Sequence, residues 1–107
     1  MGFQTGGSIL DFIVLAILHK NDEYGYLLTQ QVREILDISE TAMYPALKRL
    51  QKAHLLATYD LPCQGRNRRY YKLTDEGQKA LSLYTENWNN FQENVYELLQ
   101  KENNDKS

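Results

Sequence analysis

The chain has 107 residues, 42% of them apolar and 24% charged, which fits one compact domain and excludes both a disordered chain and a large catalytic α/β domain. Its net charge of −2 at pH 7 gives no overall preference for nucleic acid. The lone Cys63 excludes a disulfide scaffold and a four-cysteine zinc site.

Residues 1–7, with Gly2, Gly6 and Gly7, read as a loose arm. The apolar run over 9–18 has only Asp11 as a polar residue. It is far shorter than the roughly 20 residues of a bilayer span. No cationic stretch or small-residue cleavage site accompanies it, so a cytoplasmic chain is expected. The run predicts a first helix over about 8–19, with Ser8 as N-cap and Asp11 in its first turn. Leu10, Phe12, Ile13, Val14, Leu15, Ile17 and Leu18 make it apolar nearly all round, so both faces need cover.

Asn21 and Asp22 signal a turn. A second helix follows over about 24–36, with Leu27, Leu28, Val32, Ile35 and Leu36 at helical spacing. A third is expected over 40–53, capped by Ser39, with Met43, Leu47, Leu50 and His54 as its buried stripe. Its opposite side carries Thr41, Pro45, Lys48 and Lys52, flanked by Tyr44 and Arg49. Pro45 inside a helix breaks a local rule, and such breaks often mark function.

Residues 55–61 and 68–73 read as two strands of a hairpin, with Pro62 to Asn67 between them and Gly65 at the turn. Thr74 caps a long last helix of about 25 residues, whose Leu81, Tyr84, Trp88, Phe91, Val95 and Leu98 follow a 3–4 heptad spacing. Gly77 costs helix propensity without ending this helix. Residues 102–107 are polar and are expected to fray.

Charge is unevenly placed. Residues 41–73 carry seven cations against Asp60 alone, while the rest of the chain carries five against thirteen acids. A mainly α chain with a small β-hairpin, a cationic third helix, a basic hairpin and a long final helix has the layout of a winged helix-turn-helix plus a C-terminal dimerisation helix. The division expected is 1–73 for the DNA-binding unit and 74–107 for the dimerisation helix and tail. Double-stranded DNA is the expected partner. Thr41, Tyr44, Pro45, Lys48, Arg49 and Lys52 would enter the major groove, while Arg66, Arg68 and Arg69 on the wing would meet backbone or minor groove. Leu10, Ile13, Val14 and Ile17 of the first helix, with the heptad seam, would form a homodimer presenting two reading helices to a pseudo-palindrome.

The segment Thr41-Ala-Met-Tyr44-Pro45-Ala-Leu47-Lys-Arg49-Leu50 resembles the recognition-helix signature of the PadR family of bacterial transcription regulators. Tyr24-Gly25-Tyr26 is similar to that family's start of helix two. The stretch from Gly65 through Arg66, Arg68, Arg69, Tyr70, Tyr71 and Leu73 to Gly77 is similar to its wing and the start of its last helix. The resemblance covers about residues 8–100. It implies a ligand-responsive repressor of the small subfamily whose single last helix makes the dimer. It also implies an aromatic effector held near paired tryptophans, here Trp88 with Phe91 and Phe12. Ala53-His54-Leu55 departs from the glycine common after helix three, and Pro62 and Cys63 depart from the polar residues common in the wing.

Other readings carry less. No phosphate-binding glycine loop or nucleophile motif points to an enzyme. His19 and His54 lack partners at ligand spacing, so no metal or cofactor is expected. Cys63 as a redox sensor has only Arg66 nearby to favour it. A winged helix that binds only protein would expose apolar or acidic residues on helix three, where Lys48, Arg49 and Lys52 stand. A small-molecule carrier would leave the basic middle without a role.

Overall fold

A computed structural model describes residues 7–105, with side chains described over 9–101. The expected arm, apart from Gly7, lies outside the described residues. The elements follow in the order α1 (Gly7–Lys20), β1 (Glu23–Tyr24), α2 (Gly25–Arg33), α3 (Glu40–Lys52), β2 (Leu56–Cys63), β3 (Arg66–Leu73) and α4 (Asp75–Asp105).

The apolar α1 runs through the centre of the fold. Leu10, Val14, Leu15 and Leu18 are buried, and their spacing places them on one side of a helix. They join Leu28 and Val32 of α2, Met43, Ala46, Leu47 and Leu50 of α3, Leu56 and Tyr71 of the sheet, and Leu81 of α4 in one core. The flanks of α1 hold Phe12 and Ala16 on one side and Ile13 and Ile17 on the other, all half-buried. Ser8 is the second residue of α1 and not its cap, because the helix starts at Gly7. Asp11 therefore lies beyond the first turn and is buried.

The second helix is shorter than its apolar spacing predicts. Tyr24 is extended (φ −83°, ψ 157°) and belongs to β1, which pairs antiparallel with β3 through Glu23↔Tyr71 and Tyr24↔Tyr70. A two-residue strand is too short to show a period of two. At the other end α2 stops at Arg33, and the N–H groups of Ile35 and Leu36 both donate to the Val32 carbonyl, tightening the chain into a turn.

The sheet has the order β1-β3-β2. Both long strands extend further into the wing than expected, up to the Cys63↔Arg66 pair. This leaves a two-residue turn, Gln64 (φ 53°) and Gly65 (φ 80°). Positive φ at both positions matches the right-handed twist of the strands, so pairing continues to the tip. Pro62 and Cys63 are thus strand residues.

Helix α3 runs unbroken through Pro45, which lies on its exposed side. There, water can reach the Thr41 carbonyl that Pro45 leaves without its helical donor. Ser39 stands at the N-cap, but its side chain makes no cap bond; its hydroxyl lies 3.0 Å from that of Thr41. His54 is not part of the buried stripe. It is exposed, with φ 64°, and its N–H donates to Gln51 while that of Leu55 donates to Leu50. This is the Schellman ending, with histidine where glycine is usual.

Thr74 caps α4 as expected: its hydroxyl accepts from the Gly77 N–H at 2.9 Å and donates to the His54 carbonyl at 2.7 Å. Gly77 is required by packing, since a Cβ there would stand 2.2 Å from the Leu55 carbonyl oxygen. Helix α4 spans 31 residues and continues through Asp105, past the expected start of a frayed tail.

Candidate nucleic-acid interface

The outward side of α3 presents Thr41, Tyr44, Pro45, Lys48 and Lys52, all exposed, opposite buried Met43, Ala46, Leu47 and Leu50. Burial of that stripe sets the roll of the helix, and the 100° step then sends these residues to solvent. Lys48 Nζ sits 5.3 Å from the centre of the Tyr44 ring, so the cation and the phenol form one patch. At the start of the helix, Glu40 pairs with Arg33 of α2 at 3.3 Å, which keeps this acid engaged away from the cationic centre.

At its base, β3 borders the outward residue Tyr44 of α3. Tyr44, Tyr26 and Tyr71 line one shallow cleft of about 250 Å³. Burial pushes the Tyr71 phenol up, opposed by the charge of Arg69 and reinforced by Tyr44. Arg68 and Arg69 are neighbours in a strand, so they point to opposite faces of the sheet. Arg68 lies over the Tyr24 ring, 4.5 Å from its centre. Tyr24, Tyr70 and Tyr59 form a row across that face, with centroids 5.9 and 5.5 Å apart. Arg69 makes an exposed 3.4 Å pair with Asp60. Arg66, at the tip, is exposed.

Arg49 departs from the expected arrangement. Its Nη2 donates to Asp11 Oδ1 of α1, so this cation is bound to an acid of the same chain. No local pattern signals the pair, because the partners lie 38 positions apart.

The expected interface residues of α1 and α4 divide into three groups. Leu10, Val14 and Leu81 are enclosed in the chain's own core, Val14 completely. Ile13, Ile17, Tyr84, Trp88 and Phe91 are half-buried. Val95 and Leu98 are exposed, at 38% and 66%. The three residues expected around an effector do come together: Phe12 is 6.3 Å from Trp88 and Trp88 is 6.1 Å from Phe91. Tyr84, stacked on Phe12 at 5.8 Å, completes the cluster and was not expected as a ligand residue. Beside it, Phe12, Lys20, Gln78, Thr85, Glu86 and Asn89 line part of an open cleft of about 610 Å³ between α1 and α4. Among the described residues, no helix is long and apolar enough to cross a membrane.

The sequence profile of the family described as Transcriptional regulator PadR-like family matches residues 14–83. A crystal structure of a Streptococcus mutans UA159 protein is 37% identical, with a TM-score of 0.84 over 94% of both chains. A PadR family transcription regulator from Clostridium difficile R20291 is 34% identical, with a TM-score of 0.78, covering 84% of this chain and 97% of that one. Bacillus subtilis PadR, solved in complex with operator DNA, is similar in fold, with 22% identity and a TM-score of 0.66 over 72% of this chain and 46% of that one.

Proposed function

This chain belongs to the PadR-like family of transcriptional regulators, a family of regulators and not of enzymes, and from that membership we propose that it is a repressor which binds a pseudo-palindromic DNA operator as a homodimer. The observation that carries the reading is the exposed row Thr41, Tyr44, Pro45, Lys48 and Lys52 beside the arginines of the wing. Bacillus subtilis PadR, of the same fold, was solved on operator DNA, which supports duplex DNA as the partner. In this reading α3 enters the major groove, about 12 Å wide. Lys48 and Lys52 neutralise phosphates, and Thr41 and Tyr44 meet base edges or backbone. Arg66, Arg68 and Arg69 bind the flanking backbone from both faces of the wing.

Residues 1–73 form the DNA-binding unit. Residues 74–107, with the half-buried flank of α1, form the dimer. The cluster of Phe12, Trp88 and Phe91 takes a flat aromatic effector at the two-fold axis, where aromatic rings offer stacking surface, and effector binding releases the DNA. Such a regulator works in the cytoplasm.

The test is a salt series of binding to the chain's own upstream DNA, with an unrelated duplex as control. The expected preference is about a thousandfold, with steep loss of affinity as salt rises. Lys48→Ala should lower the logarithmic salt slope by about 0.9 without changing the oligomeric mass. A planar aromatic cation added to the assay should weaken binding and quench Trp88. Equal weak binding of both duplexes overturns the DNA reading; unchanged binding and Trp88 emission overturn the effector part.

A further inference from the structure

Asp11 is the buried charged residue among the described residues, 8% exposed. Its side chain is enclosed while that of Arg49 is 51% exposed, so the carboxylate grips the guanidinium from within and leaves its outer edge toward solvent. Arg49 lies next to Lys48 on α3, at the border of the DNA-facing row. The pair has two physical effects. An acid in direct contact cancels the field that Arg49 would offer to a phosphate backbone. The bond also ties α3 to α1 across the core, which restrains the roll of the reading helix.

We infer that Asp11 is a specificity-determining residue of DNA recognition that acts through Arg49. It withholds one cation from sequence-independent phosphate contacts and holds α3 in the orientation that reads bases. Non-specific affinity comes almost entirely from phosphate neutralisation, whereas discrimination comes from base edges. Removing the acid therefore strengthens binding to any duplex more than it strengthens binding to the preferred one. The inference rests on the reading of α3 as the DNA-reading helix. Asparagine is a suitable replacement because it keeps the shape of the side chain. Burial pushes the Asp11 carboxyl up, against the pull of Arg49.

The experiment compares the wild type, Asp11→Asn, Arg49→Gln and the double variant. Binding is measured across a salt series to the upstream duplex preferred by the wild type and to a random-sequence duplex of equal length, with circular dichroism as the folding control. Asp11→Asn is expected to bind the random duplex about tenfold tighter, with a logarithmic salt slope steeper by about 0.9. Its preference for the upstream duplex is expected to fall about tenfold. In the Arg49→Gln background the Asp11→Asn change should have no such effect. A folded Asp11→Asn protein with unchanged slope and preference overturns the inference, as does an effect that persists without Arg49. Should the amide variant fail to fold, Asp11→Ser gives the same readout. A wild type that prefers no duplex removes the reading of α3 and the inference with it; a wild-type preference that Asp11→Asn leaves intact removes the inference alone.

Discussion

Tyr59 shows how single side chains hold the wing. Its hydroxyl donates to Asp22 Oδ2 at 2.7 Å, which ties β2 to the turn after α1. That hydrogen bond, followed by desolvation and the charge of Asp22, pushes the phenol from its ordinary value of 10 up to about 12. A raised phenol stabilises the folded state fully below pH 10, and the contribution is lost as pH rises through 12. Ultraviolet titration of the folded protein should therefore show a phenolate near pH 12 that Tyr59→Phe removes, while the raised Tyr71 phenol stays in place. Asp22→Asn should return the Tyr59 phenol toward 10. If neither Tyr59→Phe nor Asp22→Asn changes the amplitude near pH 12, the assignment fails. The same logic of a partner distant in sequence explains Arg49, which the helical wheel places beside the outward face and which Asp11 of α1 engages.

At the scale of elements, the junction of α3, β2 and α4 is the most tightly specified part of the fold. The Leu55 carbonyl accepts from the Thr74 N–H at 3.2 Å and lies where a Gly77 side chain would stand. The His54 carbonyl accepts from the Thr74 hydroxyl. His54 itself holds a left-handed conformation that costs an L-residue about 1–2 kcal/mol, part of which glycine recovers. His54→Gly keeps every backbone bond of the junction and should raise stability by about 1 kcal/mol. That corresponds to a melting temperature roughly 4 °C higher; a lower one would show that the imidazole contributes more than the backbone strain costs. Helices α1, α3 and α4 were legible in the sequence because long apolar periods and the Thr74 cap are local signals. The basic hairpin was legible from Gly65 and the flanking tyrosines. β1 was not, since its two residues form a strand only because β3 lies beside them. The apolar spacing of Ile35 and Leu36 suggested three more residues of helix than the bonds to Val32 allow. The row on α3 follows from periodicity alone, whereas the burial of Leu10, Val14 and Leu81 depends on how α1 crosses the core.

On the scale of the molecule, α4 dominates the shape. The protein extends 67 × 26 × 21 Å, and a helix of 31 residues accounts for about 46 Å of the long axis. Its first half packs on the core through Leu81 and, at the edge, Tyr84. Its second half leaves the domain with Val95, Tyr96, Leu98 and Leu99 exposed. Apolar side chains at heptad spacing without cover from their own chain favour association with a second such helix. The dimer is thus expected to rest on the distal seam and the half-buried flank, and not on Leu10, Val14 or Leu81. Leu98→Glu places a charge in that seam and should weaken the dimer about a hundredfold, or about 2.7 kcal/mol, read as a shift from twice the chain mass to the chain mass in sedimentation. Leu98 lies outside the core, so far-ultraviolet circular dichroism should stay close to the wild type. The DNA consequence follows from geometry. Two reading helices joined at the seam engage half-sites one helical turn apart, and separated chains lose that linkage. Leu98→Glu should therefore lower affinity for a full operator far more than for a single half-site. Equal losses on both duplexes would place the effect within one chain, and unchanged sedimentation would move the dimer to another surface.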